Sequence, residues 1–258
     1  MPGRVVLLQA KRLHNLSDTC FRILLSLFMQ ISIIIPVYNE AENIAKLVSY
    51  LMQHSNESIT EIIVVDAGST DHTIEVAKNA GATVFISTQK GRAAQMNHGA
   101  SLAKGGILYF IHADTFPPTS FANDIKVAVE KGFDLGRYHT KFNSNKWYLN
   151  INGWFTRFDW FICMGGDQTI FVTRKLFEET GGYIASMRIM EEYEFAKRAR
   201  VNHRYKIFSK RALVSARKYD TNSWWRVQMA NMKILSMYKK GATQEDMVNT
   251  YKRMLDYR

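Results

Sequence analysis

Three sets of ionisable side chains in this sequence sit where chemistry can be built. The first is His112 and Asp114, two positions apart, immediately after the apolar run Ile107 to Ile111. In an extended chain such a pair projects to one side, and a histidine beside a carboxylate suits a metal or a phosphate. The plainer reading is that Asp114 only caps the next turn. The second set is Asp66, directly after Val64 and Val65, together with Asn39 and Glu40, which follow the apolar run Ile31 to Val37. The third is Glu191, Glu192 and Glu194, leading into the basic stretch Lys197 to Arg200. Carboxylates crowded into one helical turn repel, which lifts at least one pKa toward the range useful to a general base. The same three could instead decorate a helix N-terminus, where the dipole favours negative charge.

The elements that must position these groups are short. Continuous apolar runs at 31–37, 62–65 and 107–111 read as strands buried on both faces, and Thr83 to Ile86 as a fourth short strand. Between them, helical spacing is expected over 42–52, over 73–79 up to Gly81, and after Lys90-Gly91-Arg92 in a helix carrying Gln95, Met96, Asn97 and Ala100. Strand–helix alternation at this interval specifies a parallel, doubly wound arrangement. Ligands in such sheets bind at the carboxyl ends of the strands, where Glu40, Asp66 and Asp114 all fall. Further on, a helix is expected over 121–129, a strand over 137–142, a strand over 169–172 after Gly165-Gly166-Asp167-Gln168, and a helix over 175–180. Residues 147–161 are rich in aromatic side chains, which suits packing, an acceptor or a lipid tail.

Ile-Ile-Pro-Val-Tyr-Asn-Glu at 34–40, Val-Val-Asp-Ala-Gly-Ser-Thr-Asp at 64–71 and the Ala-Asp ending of the strand at 107–111 together resemble the family 2 glycosyltransferases. The resemblance covers roughly residues 30–210. It implies an α/β domain of the GT-A type with a mixed, mainly parallel sheet flanked by helices. It also implies an inverting, hexosyltransferase-like reaction that moves a sugar from a nucleotide-diphosphate donor to an acceptor hydroxyl. Pro36, Tyr38, Glu40 and Asp66 would line the base and ribose pocket, with Arg92, Asn97 and His112 nearby. Asp114 would hold Mg²⁺ or Mn²⁺ across the donor diphosphate. Asp167 would meet the acceptor, and Glu192, with Glu191 as the neighbouring alternative, would act as base. The chain departs from the family pattern at Ala67, where a second Asp is frequent, and at His112, which replaces the first carboxylate of Asp-x-Asp. A histidine nitrogen would suit Mn²⁺ better than Mg²⁺.

Charge adds a separate signal. The chain has 258 residues and a formal charge of +11, yet Lys197 to the C-terminus carries 16 basic against 4 acidic residues, leaving the rest close to neutral. A basic tail suits an anionic surface or substrate. Trp224-Trp225-Arg226 opens helical spacing over 227–238, with Lys239 and Lys240 at its end, and a last helix is expected over 244–257. Residues 224–240 could touch a membrane peripherally or pack over the catalytic domain. No run is long enough to span a bilayer, and two cysteines give no disulfide framework, so a cytoplasmic protein, on the inner face of the membrane if bound there, is expected. The expected organisation is a leader at 1–29, helical or preceding a true start at Met29, a catalytic domain at 30–210, and a basic helical segment at 211–258. The expected partners are a nucleotide sugar and an acceptor that a lipid carrier could present, with no nucleic acid. Two other readings stay open: a sugar-1-phosphate nucleotidyltransferase, and a non-catalytic basic binding module with a vestigial nucleotide site.

Overall fold

The computed structural model describes residues 29–160 and 168–256. The expected leader at 1–29, all but Met29, and Asp167 with the two glycines before it therefore lie outside the described residues. The first half alternates as the apolar runs predict: β1 (Ile31–Val37), α1 (Ala41–Gln53), β2 (Ile59–Asp66), α2 (Thr73–Asn79), β3 (Thr83–Ile86), α3 (Arg92–Leu102) and β4 (Ile107–Phe110). β1 and β4 are buried along their whole length, which is why they read as unbroken apolar runs rather than alternating ones. Side chains on their two faces enter two separate cores, one under α1 and one under α3.

The second half is less regular. It contains β5 (Thr115–Phe116), α4 (Phe121–Glu130), β6 (Leu135–Phe142), α5 (Trp147–Phe155), β7 (Ile170–Thr173), α6 (Arg174–Glu179), α7 (Glu191–Ala199) and β8 (Tyr205–Val214), then α8 (Lys218–Thr221), α9 (Trp224–Lys239) and α10 (Gln244–Met254). All eight strands form one sheet in the order β3-β2-β1-β4-β7-β6-β8-β5. β1, β2, β3 and β4 pair in parallel; β7 runs antiparallel to β4 and β6, β6 runs parallel to β8, and β5 closes the far edge antiparallel to β8. The sheet is mixed, as the resemblance implied. β6 is held tightly between its neighbours: a Cβ on Gly136 would meet the Lys206 carbonyl at 2.4 Å and the Phe171 ring at 2.6 Å.

Two features of this topology place the site. β4 and β5 are separated only by residues 111–114, yet stand far apart in the strand order, so the sheet curls and the His112–Asp114 segment straps across the curl. β8 passes unbroken through residue 210, where the C-terminal segment was expected to begin. Its pairing of Val214 with Thr115 brings the residues just beyond β8 alongside Asp114, and the Ser215 amide donates to the Asp114 carbonyl at 3.1 Å.

Candidate active site

The carboxyl ends of β1, β2 and β4 come together, and α3 ties the first two to each other. Gln95 is buried on this helix, and its side-chain amide donates to the carbonyls of Val37 at 2.8 Å and Val65 at 2.7 Å. The sequence placed Gln95 on a helix without a role; here it fixes the spacing of two strand ends beneath the cleft. Asp66 is fully buried and closes its own loop. Its Oδ1 accepts the amides of Gly68 at 2.7 Å and Ser69 at 2.8 Å, and its Oδ2 accepts the Ser69 hydroxyl. Gly68 sits at φ +87°, a conformation that favours glycine. Ser69 in turn accepts the Asn39 amide at 2.8 Å, so the ends of β1 and β2 are one hydrogen-bonded unit. Asp71 takes the local capping role that its position suggests, accepting the Thr73 amide at 3.0 Å just before α2.

Two clusters of charge lie over this floor. In the first, Arg217 reaches from beyond β8 to both acidic groups of the cleft rim. Its Nη1 donates to Glu40 Oε2 at 3.0 Å, Nη2 bonds the other Glu40 oxygen, and Nε lies 3.2 Å from Asp114 Oδ2. In the second, Glu192 and Glu191 project from the first turn of α7 and are buried. Glu192 Oε1 lies 2.8 Å from His112 Nε2. Glu191 Oε1 lies 2.7 Å from Arg92 Nε, an ion pair without aligned hydrogen-bond geometry. Glu194, the third acid, turns away from the cleft and grips Arg198 on its own helix at 2.8 and 2.7 Å.

The electrostatics of the His112–Glu192 pair follow from burial. Desolvation works against charge on His112, but the Glu192 carboxylate outweighs it and holds the imidazole above its ordinary 6.5. Burial pushes Glu192 above its ordinary 4.5 against the opposing pull of His112. Glu192 Oε2, like both oxygens of Glu191, is buried and has no hydrogen-bond partner among the described residues; Glu192 differs in that its other oxygen is held by His112. It therefore has one oxygen held and one uncommitted, and an uncommitted buried carboxylate oxygen is costly unless something binds there. Glu192 also borders a cavity of about 10 Å³, lined with Arg137, Gln168 and Tyr205, large enough for about one water. Tyr183 is packed against the same two glutamates, and burial pushes its phenol well above 10, so it stays protonated.

The structure thus gathers Glu40, Asp66, Arg92, His112, Asp114, Glu191 and Glu192 at one end of the sheet. Tyr38 stands half-exposed at the end of β1, and Pro36 is buried within it. Asn97 is engaged elsewhere: both ends of its amide bond the Tyr183 backbone, at 2.7 and 2.9 Å, fastening α3 to the turn after α6. Arg217 was not singled out by its sequence, because nothing local distinguishes it within a basic tail; only the β5–β8 register reveals its place. As to a metal, no group of three or more His, Cys, Asp or Glu side chains gathers for one among the described residues. What the chain offers is Asp114, whose carboxylate already holds a cation, the Arg217 guanidinium. That donor chemistry fits a hard divalent ion completed by diphosphate oxygens and water.

Comparison with known proteins gives the family and the fold. The family model described as glycosyl transferase family 2 matches residues 32–193. Glycosyltransferase AglE of Haloferax volcanii is 37% identical over 94 residues, 34% of this chain and 31% of that protein. A dolichol-phosphate mannosyltransferase of Pyrococcus furiosus is 30% identical over 112 residues, 42% of this chain and 32% of that protein. These matches span about a third of either relative's length. The fold is shared with the mannosyltransferase PcManGT of Pyrobaculum calidifontis, solved with GDP-Man and Mn²⁺, at a TM-score of 0.61 and 18% identity over 87% of this chain and 69% of that one.

Proposed function

Since the chain belongs to glycosyl transferase family 2, we propose that it transfers a sugar from a nucleotide-diphosphate donor to an acceptor hydroxyl with inversion, using Glu192 as the base. The observation that carries this reading is the state of Glu192. Its Oε1 is anchored by His112 at 2.8 Å while Oε2 is buried and uncommitted. An acceptor hydroxyl entering beside Oε2 would satisfy that oxygen with its own hydrogen bond. As the hydroxyl oxygen attacks the anomeric carbon, its proton passes to Oε2, and the bond to the diphosphate breaks in the same displacement. No covalent sugar–enzyme bond is needed. Burial raises the proton affinity of Glu192, which favours proton acceptance once the carboxylate is ionised.

The other residues divide the remaining work. Tyr38 and the Asn39–Ser69 unit present the ends of β1 and β2 to the nucleoside. Asp114 would hold a divalent cation, which supplies neutralisation of the leaving diphosphate. Arg217 stands on the same carboxylate and can turn its donors to the diphosphate when the cation takes Asp114, adding directed positive charge where charge develops. Arg92 keeps Glu191 paired, which limits like-charge repulsion beside the base. PcManGT was solved with GDP-Man and Mn²⁺ and another relative carries a dolichol-phosphate name; these support a nucleoside-diphosphate sugar, a divalent ion such as Mn²⁺, and an acceptor hydroxyl that a lipid carrier could present.

The test is a turnover screen of UDP- and GDP-sugars with Mn²⁺, run on the native chain and on Glu192→Gln. The reading expects at least one donor to be consumed, with kcat reduced about 10²–10⁴-fold in the variant and donor affinity nearly kept. Full turnover by Glu192→Gln would rule out its role as base.

A further inference from the structure

Two helices of the C-terminal half are apolar on faces that none of the described residues covers. On α9 the buried side is Val227, Ala230 and Ile234, yet the opposite side carries Trp225, Met229 and Met232, exposed by 71%, 63% and 56%. Spacings of four and three residues put these on one stripe. α5 repeats the pattern: Leu149 and Gly153 are buried, while Trp147, Ile151 and Trp154 form an exposed stripe of the same spacing. Leu149 of α5 and Val227 and Ala230 of α9, all on the buried sides, belong to one cluster with Tyr219 and Leu255. Aromatic rings run unbroken between the exposed ends: Trp147 to Tyr148 at 6.0 Å, Tyr148 to Trp224 at 6.2 Å, and Trp224 to Trp225 at 4.5 Å. A groove of about 500 Å³, lined by Trp225, Met229, Met232, Lys233 and Met254, opens beside α9.

Charge identifies the occupant. Neither α5 nor α9 contains an acidic residue, and Lys146, Arg157, Arg226, Lys233, Lys239 and Lys240 border the stripes. Arg157 lies 5.0 Å over the Trp154 ring, an amphipathic pairing suited to a headgroup boundary. A second copy of this chain would set like charges against each other across an isologous contact. Nucleic acid matches the charge but not three exposed tryptophans and two methionines in stripes. Among the described residues no helix is long and apolar enough to cross a membrane.

We infer that the exposed stripe of α9, with the groove beside it and Trp147 at its edge, is a docking face for the surface of an anionic lipid bilayer, with tryptophan and methionine entering the headgroup–acyl boundary and the lysines and arginines meeting lipid phosphates. The face is separate from the cleft chemistry, so the transferase reading and the docking face stand or fall independently.

The test is co-sedimentation of the full chain with vesicles of phosphatidylcholine alone and with about 30% phosphatidylglycerol, where each basic contact adds to binding at low salt. Native protein should bind the anionic vesicles at least about tenfold more strongly, and added salt should weaken binding. The double variant Trp225→Ser with Met229→Ser removes two exposed side chains, so its melting temperature should be unchanged while anionic-vesicle affinity falls about tenfold or more. Lys233→Glu should lower it about fivefold or more through charge alone. The inference is overturned if native protein ignores anionic vesicles, or if the double variant binds them as well as native. It is equally overturned if single-stranded RNA is bound in preference to vesicles, or if sizing shows a dimer that the double variant dissociates.

Discussion

Replacing Arg217 by alanine should push two measurable quantities in opposite directions. In the donor-free protein the guanidinium holds Asp114 at 3.2 Å and Glu40 at 3.0 Å. Arg217 itself is half-exposed, so each of these pairs is screened and contributes about 0.2–1 kcal/mol. A divalent ion seeking Asp114 must displace that contact. Its removal should therefore tighten Mn²⁺ binding about 1.4- to 5-fold, the same energy expressed as a ratio. Turnover should move the other way, because the leaving diphosphate loses a directed cation. An enclosed donor at such a position is worth about 10²–10³ in kcat; with solvent screening, a loss of about tenfold or more is expected here. Mn²⁺ affinity is read by calorimetry without donor, and kcat by release of nucleoside diphosphate at saturating metal. Arg217→Lys keeps the charge but not the fork that spans Glu40 and Asp114, so it should fall between native and alanine on both scales. Weaker Mn²⁺ binding in Arg217→Ala, or an undiminished kcat, would refute the shared use of Asp114.

Asp114→Asn should abolish metal-stimulated turnover while leaving the melting temperature within a few degrees, measured by donor consumption with and without Mn²⁺; retained metal stimulation would remove Asp114 from the site. Glu191→Gln should reduce kcat far less than Glu192→Gln, since Glu191 is occupied by Arg92 at 2.7 Å; the reverse ranking would move the base by one residue. Thermal stability should decline as pH rises, from about 4.5 through Glu192 and from about 6.5 through His112. Both His112 and Glu192 are raised in the folded state, and a raised group stabilises below its ordinary value and loses that contribution as pH climbs through the folded one. Glu192→Gln should flatten that slope by removing the counterion of His112, and an unchanged slope would count against the pair.

What could be read from the sequence and what could not divide along one physical line. β1 and β4 were legible because burial on both faces demands unbroken apolar runs, and Glu40, Asp66 and Asp114 because each follows such a run directly. β8 was not, since Lys206, Lys210 and Arg211 interrupt its apolar residues and its pairing partners lie far away in the chain. α5 was obscured because its aromatic side chains mostly face outward while its buried side holds only Leu149 and Gly153, which defeats a reading based on one buried apolar stripe. The helix expected over 244–257 ends at Met254 because Leu255 is extended and packs into the α5–α9 cluster.

Arg217 carries the same lesson into the site. A residue's chemistry is written in its type, but its partners are set by register. Shifting the pairing of β5 and β8 by one position would turn Thr115 and Val214 to opposite faces and carry Arg217 away from Asp114. A cleft assembled this way draws its carboxylates from local motifs and its opposing cation from long-range strand pairing. Substitutions in β8 that disturb register should therefore damage the cleft even though none of them touches a carboxylate.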